Sequence, residues 1–255
     1  MQPRIVPYVN GLRWLLEGWR LFRAAPIGWL ALVFAYWLLM SLVSVIPIAG
    51  VVAAAVLVPP FSIGFMAAGR AAAAGSPLSL ALLFEGFRHG ARAQLMLGAI
   101  YFACLAAVLG GTLLVDGGAA ARWVLAGERP DEDALQSAAL YAALGAAALL
   151  YAPVMMMFWF APVLAAWHGA PAAKALFFSF FAFLANWRAF LAYGAGAAVL
   201  TTAVPMLALS VLLALSGGTT AVPLAGLLFP LLVVLLPTLF ASFYASYRDI
   251  FAAGP

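Results

Sequence analysis

The chain predicts an all-α, polytopic transmembrane helical bundle. Three observations predict it: too few charges for a water-soluble surface, uncharged runs as long as membrane spans, and an uneven split of charge between the joining segments. Of 255 residues, 67% are hydrophobic and only 8% are charged. A soluble domain carries about 25% charged residues, so the solvent for most of this surface must be lipid. The single cysteine, Cys104, excludes a disulfide within the chain. The first long apolar run starts near Ile27, too far in and too long for the core of a cleavable signal peptide.

The uncharged runs locate the elements. Between Arg23 and Arg70 lie 46 residues without formal charge, and between Arg92 and Asp116 lie 23. Between Asp133 and Lys174 there are 40, His168 aside, and between Arg188 and Arg248 there are 59. One crossing takes about 20 residues. The first run therefore holds two spans, broken at Pro47 to Gly50. The second holds one, and the last holds two, broken at Ser216 to Thr220. The third is long enough for a cramped hairpin around Pro153, but Met155-Met156-Met157-Phe158-Trp159-Phe160 has no turn chemistry and predicts one long, bent helix. Six spans are expected near 27–46, 48–69, 95–115, 140–167, 190–215 and 221–247, in a single integral membrane domain over 1–255.

Charge sidedness agrees with six. The N-terminal segment, the 70–92 loop, the 168–188 loop and the C-terminus carry ten Arg/Lys against Glu17, Glu85 and Asp249, a net +7. The 116–139 loop carries Asp116, Glu128, Asp131, Glu132 and Asp133 against Arg122 and Arg129, a net −3. Basic segments stay inside, so both termini are expected in the cytoplasm and the protein in a bacterial inner membrane.

The basic segments themselves read as interfacial helices. Residues 12–23 set Leu12, Leu15, Leu16, Trp19 and Phe22 against Arg13, Glu17 and Arg20. Residues 77–92 set Leu80, Leu83, Phe84 and Phe87 against Glu85, Arg88 and Arg92, with Ser76-Pro77 as N-cap and first turn. Residues 171–188 form a greasier third, opened by Pro171, with Lys174, Asn186 and Arg188 among phenylalanines. Such segments lie along a bilayer surface. They also look alike. Glu17-Gly18-Trp19-Arg20 parallels Glu85-Gly86-Phe87-Arg88. Gly75, Pro77, Ala81, Leu82, Phe84 and Phe87 match Gly169, Pro171, Ala175, Leu176, Phe178 and Phe181. The expected architecture is three parallel repeats, each an interfacial helix followed by a transmembrane hairpin.

Four stretches carry a family resemblance. They are Gly18-Trp19-Arg20-Leu21-Phe22-Arg23, Phe84-Glu85-Gly86-Phe87-Arg88, the run from Phe160 to His168, and the tail from Leu239 to Asp249. With Asn186-Trp187-Arg188-Ala189-Phe190, the chain resembles an uncharacterised family of six-span proteobacterial inner-membrane proteins designated by a locus tag. The resemblance extends over nearly the whole chain. It implies localisation and span number, and no catalytic residue, ligand or partner comes with it.

The chemistry narrows the function by what is missing. Every formal charge sits outside or at the edge of a span, whereas proton- and ion-coupled carriers place ionisable groups inside the bundle. His89 and His168, both near the basic face, are too few for a haem or zinc site, so neither a metal nor a cofactor is expected. No nucleophile–base or paired-carboxylate arrangement suggests an enzyme. Asp131-Glu132-Asp133 reads as a solvated helix start. The prolines at 59, 60, 153, 162, 205, 230 and 237 read as bends.

What stands above this background is a set of arginines, Arg20, Arg23, Arg88, Arg92, Arg188 and Arg248, with Trp19, Phe87 and Trp187 as interfacial anchors. One reading is topology alone. The other is binding of anionic lipid head groups, for which the planar fork of arginine suits phosphate. The sequence therefore predicts a non-catalytic membrane protein that interacts with anionic lipid or with a membrane partner, a homo-oligomer included. No nucleic-acid partner is expected. The alternative is a carrier or lipid-handling protein with a cavity between the hairpins.

Overall fold

The computed structural model describes residues 3–46, 49–215 and 224–251. Among them the regular structure is entirely helical, with α1 (Asn10–Ala24), α2 (Pro26–Ser44), α3 (Ala49–Ala73), α4 (Glu85–Arg88) and α5 (Ala91–Asp116). There follow α6 (Ala119–Ala126), α7 (Glu132–Leu135), α8 (Ala138–Phe158), α9 (Ala161–His168), α10 (Ala172–Ala185), α11 (Trp187–Ala198), α12 (Val204–Leu215) and α13 (Leu224–Phe251). Among the described residues five stretches are long and apolar enough to cross a membrane: α2, α3, α5, α8–α9 and the run from Trp187 to Val211. Of the break expected at Pro47 to Gly50, residues 47–48 lie outside the described residues and Ala49 and Gly50 begin α3, while the break expected at Ser216 to Thr220 lies wholly outside them.

The chain divides into two units, Met1–Leu38 with Ser62–Glu85 and Ala182–Pro255, and Leu39–Phe61 with Gly86–Phe181. In the first, α1 packs against α11 and α13. At about 100° per residue, α1 has three sectors. Gly11, Trp14, Leu15, Gly18, Leu21 and Phe22 are buried, Leu12, Leu16 and Trp19 form an exposed apolar stripe ending at Arg23, and Arg13, Glu17 and Arg20 make the charged third. The apolar face expected from sequence thus splits into a packed half and an exposed half. The glycines decide which half packs. A Cβ on Gly11 would overlap the carbonyl oxygen of Ala189, and one on Gly18 the carbonyl oxygen of Thr238. Close approach of this kind lets dispersion act where lipid gives apolar side chains no reason to associate. Phe65 and Phe240 stack at 4.1 Å, Phe183 and Phe190 at 3.7 Å, and the Tyr193 hydroxyl meets Ser242 Oγ at 2.8 Å.

In the second unit α5 packs along α8 and α9. Pro59 and Pro60 lie inside α3, so the carbonyls of Ala55 and Val56 have no helical donor. The Val56 carbonyl faces Gly98 of α5, where a Cβ would overlap it. The expected long, bent span runs from Ala138 to His168 and bends at Trp159–Phe160, between α8 and α9. Pro162, in the first turn of α9, denies the Phe158 carbonyl its helical donor, and a side chain from another helix fills the opening. In an unbroken helix the Phe160 N–H would bond the Met156 carbonyl. Instead Ser179 Oγ, on α10, sits between them, accepting from Phe160 N at 2.9 Å and donating to Met156 O at 2.8 Å. One turn on, Gln94 Nε2 donates to Pro162 O at 2.8 Å. Both side chains are fully buried.

One further expectation changes, that of the second interfacial helix and its cap. The interfacial helix expected over 77–92 is not continuous. Residues 76–79 are non-helical, a 3₁₀ turn covers Leu80–Phe84, α4 is four residues long, and Gly90 at φ 75° separates it from α5. Ser76 and Pro77 therefore do not cap a helix, and Arg92 lies in the first turn of α5. In the outer segment, Asp116 accepts from Gly118 N at 2.8 Å and Ala120 N at 2.6 Å, capping α6. The acidic run 131–133 opens α7.

Two outcomes follow from these contacts. Gly18→Leu should lower the unfolding midpoint in detergent, since overpacking against backbone costs about 1–3 kcal/mol or more. Gly145→Ala, where an added Cβ meets nothing within 4 Å, should hold or raise it, and equal effects would show that Gly18 is not a contact point. Ser179→Ala should cost about 1–3 kcal/mol and speed hydrogen exchange at the Phe160 amide, and unchanged exchange there would remove the serine from the break.

Candidate functional site

Residues 4–14 and the end of α13 meet in a polar clamp. Asp249, near the end of α13, accepts on Oδ2 from Asn10 Nδ2 and Trp14 Nε1, each at 2.8 Å. Arg4 donates from Nη2 to the Asp249 carbonyl at 2.8 Å and from its backbone N–H to Ile250 O at 2.9 Å. Asn186, between α10 and α11, completes the clamp. Its Oδ1 accepts from Val6 N at 2.8 Å, and its Nδ2 donates to the carbonyls of Arg4 at 3.0 Å and Ala182 at 2.9 Å. Burying Asn186 is tolerated because both ends of its amide are satisfied. The N-terminal segment, the start of α11 and the end of α13 are thereby held at one place.

The arginines singled out by sequence divide by what they touch. In the first unit Glu17 takes two of them. Arg248 Nη2 reaches Glu17 Oε1 at 2.9 Å, and Arg20 Nη1 reaches Oε2 at 3.4 Å. The Arg20 side chain remains 76% exposed, so its pairing is weak, whereas Arg248 is 45% exposed and has the shorter contact. Arg23 is exposed and lies over the Trp19 ring at 6.0 Å. Arg188 is exposed and lies over the Trp187 ring at 5.4 Å. Both tryptophans are themselves exposed. An exposed arginine beside an indole can offer a fork to phosphate and an amphipathic ring to the head-group zone.

In the second unit Arg88 ends α4 and Arg92 sits in the first turn of α5, both exposed and with no ion pair among the described residues. Phe87 is half-buried, edge-on to Phe61 at 5.3 Å, so its ring is committed to the protein more than to a lipid surface. Among the described residues no group of three or more His, Cys, Asp or Glu side chains is placed to hold a metal ion.

Sequence reading missed Asn10, Trp14, Asn186 and Asp249 as a set. The signal was present in part. Asn186 is a polar residue among phenylalanines, and Asp249, with Arg248, ends a long uncharged run. Nothing in the spacing of residues 10, 186 and 249 says that they meet.

No family model matches the chain, and no solved structure matches it. A search of known proteins finds a probable inner membrane protein of Burkholderia thailandensis, 39% identical over 248 residues. The alignment covers 95% of this chain and 91% of that protein. With identity sustained over both lengths, the chain belongs to the same family as this probable inner membrane protein.

Proposed function

We propose that the chain is a non-catalytic, six-span inner-membrane protein whose basic segments face the cytoplasm and hold anionic lipid head groups. The observation that carries this reading is the exposed set Arg23, Arg88, Arg92 and Arg188, placed at helix ends or in first turns, two of them over exposed tryptophans. Lys/Arg near an anionic surface gain about 1 kcal/mol each. A sixth span is supported by α13, whose 28 residues extend about 42 Å at 1.5 Å per residue.

Contacts within the first unit support one sidedness for its basic ends. The clamp ties Arg4 to Asn186 and to the end of α13. Gly69, beside Arg70, faces Tyr244 of α13, four residues before Arg248. Two features support the repeat. Gly75 and Gly169, matched in sequence, both adopt positive φ, 68° and 62°, and each precedes a proline by two residues. A partner subunit or a second copy is a further reading, favoured by α11–α12. There Val199, Met206, Leu207 and Val211 are exposed, and a π-helical turn at Val199–Ala203 precedes Pro205.

Two experiments test the proposal. Single cysteines at Ala81 and Pro130 in a Cys104→Ala background should label with an impermeant maleimide from outside only at 130, and labelling at 81 alone would invert the topology. Replacing Arg88, Arg92 and Arg188 by Gln should reduce cardiolipin or phosphatidylglycerol retained in native mass spectra without changing the melting temperature. Equal retention would leave the arginines a role in topology only.

A further inference from the structure

The Glu-Gly-aromatic-Arg motif occurs at 17–20 and 85–88, and the two copies make equivalent contacts. Gly18 lies against the carbonyl oxygen of Thr238 in α13, and Gly86 against the carbonyl oxygen of Pro60 in α3. A Cβ at either position would overlap backbone. The preceding glutamates reach an arginine near the end of the same helix. Glu17 pairs with Arg248 at 2.9 Å and Glu85 with Arg70 at 3.6 Å. Arg248 follows Thr238 by ten residues, as Arg70 follows Pro60. The sequence match of Phe84 and Phe87 to Phe178 and Phe181 puts Ser179 at the place of Glu85, and there the side chain enters the backbone of α8–α9 directly. All three contacts fall on corresponding stretches of α3, α8–α9 and α13.

We infer that Glu-Gly-aromatic-Arg is a docking element that seats an interfacial segment on the end of a neighbouring span, and that its glutamate is an internal counterion withholding Arg70 and Arg248 from lipid phosphate. The second half rests on the lipid-binding reading above. The glutamate side chains are partly shielded, 26% exposed for Glu17 and 17% for Glu85, while their arginine partners are 45% and 51% exposed. Each carboxylate sets one oxygen against the Nη2 of its arginine, at 2.9 Å for Arg248 and 3.6 Å for Arg70, where a phosphate oxygen would compete for the same charge. The arginines left to meet lipid are then Arg88, the fourth residue of the second copy, with Arg23, Arg92 and Arg188, while Arg20 shares Glu17 with Arg248 at 3.4 Å. The alternation of glutamate and arginine within the motif thus separates a structural charge from a presented one.

The test measures phosphatidylglycerol binding by native mass spectrometry from nanodiscs of phosphatidylethanolamine and phosphatidylglycerol. Glu17→Gln and Glu85→Gln should each tighten binding, by about fivefold for each arginine released. Arg248→Gln and Arg70→Gln should leave binding unchanged and lower the melting temperature. Unchanged affinity in both glutamine variants, with weakened binding in the Arg88, Arg92 and Arg188 triple variant, would overturn the counterion role and leave lipid binding standing. An unaffected triple variant would sink the lipid reading beneath it. The docking half has its own readout. The reversed pair Glu17→Arg with Arg248→Glu should recover the melting temperature lost in either single reversal, and failure to recover would overturn it.

Discussion

Much of this structure depends on one constraint: inside a bilayer there is no water to satisfy a backbone N–H or C=O, so each must find its partner in protein. A straight helix meets the demand by itself. Every bend breaks it locally and needs a substitute. At Pro59–Pro60 the freed Val56 carbonyl is covered by the close approach of Gly98, a geometry suited to a weak Cα–H···O contact. At Trp159–Phe160 the substitute is a serine from another helix, which restores both halves of the lost bond through its hydroxyl. Before Pro205 the backbone widens into a π-helical turn, in which Val204 N donates five residues back to Val199 O. Three bends are thus met by three different devices.

The same absence of water changes how helices are held together. Apolar side chains gain nothing by leaving lipid for protein, so contact has to come from close packing and polar bonds. The helix α1 shows both. Its glycines bring it against the backbones of α11 and α13, and Trp14 fills the space beside them, 5.1 Å from Phe190 and 6.1 Å from Tyr193. Its polar groups then fasten the end, through Asn10 and Trp14 to Asp249 and through Glu17 to Arg248. The leucines that a soluble amphipathic helix would bury, Leu12 and Leu16, are left exposed. For a chain whose solvent is lipid that is the expected arrangement.

Charge serves two purposes in the same segments. Arg248 and Arg70 are engaged by glutamates, and Arg4 by main-chain carbonyls and its own backbone bonds. Arg23, Arg88, Arg92 and Arg188 stand exposed at helix ends. Basic residues near a membrane are easily read as one class because all of them contribute to sidedness. The contacts separate them into charges that hold the protein together and charges presented to its surroundings.

The sequence by itself determined the solvent, the helical class and the places of the apolar helices. Those follow from composition and from runs of uncharged residues, which are local properties of the chain. It also marked the motif Glu-Gly-aromatic-Arg and the glycine–proline pairs at 75–77 and 169–171, because repetition is visible without coordinates. Only the tertiary structure decided which face of α1 packs, where the 138–168 helix breaks, and which arginines are engaged. The break at Trp159–Phe160 has a local signal in Pro162 two residues on, but the serine that fills it is 19 positions away. Apart from Asn186 to Ala182, the clamp's bonds join residues 180 or more positions apart. Periodicity and composition report what a segment prefers alone. A side chain inserted from a distant helix, or a carboxylate shared between two of them, exists only once the helices are beside each other.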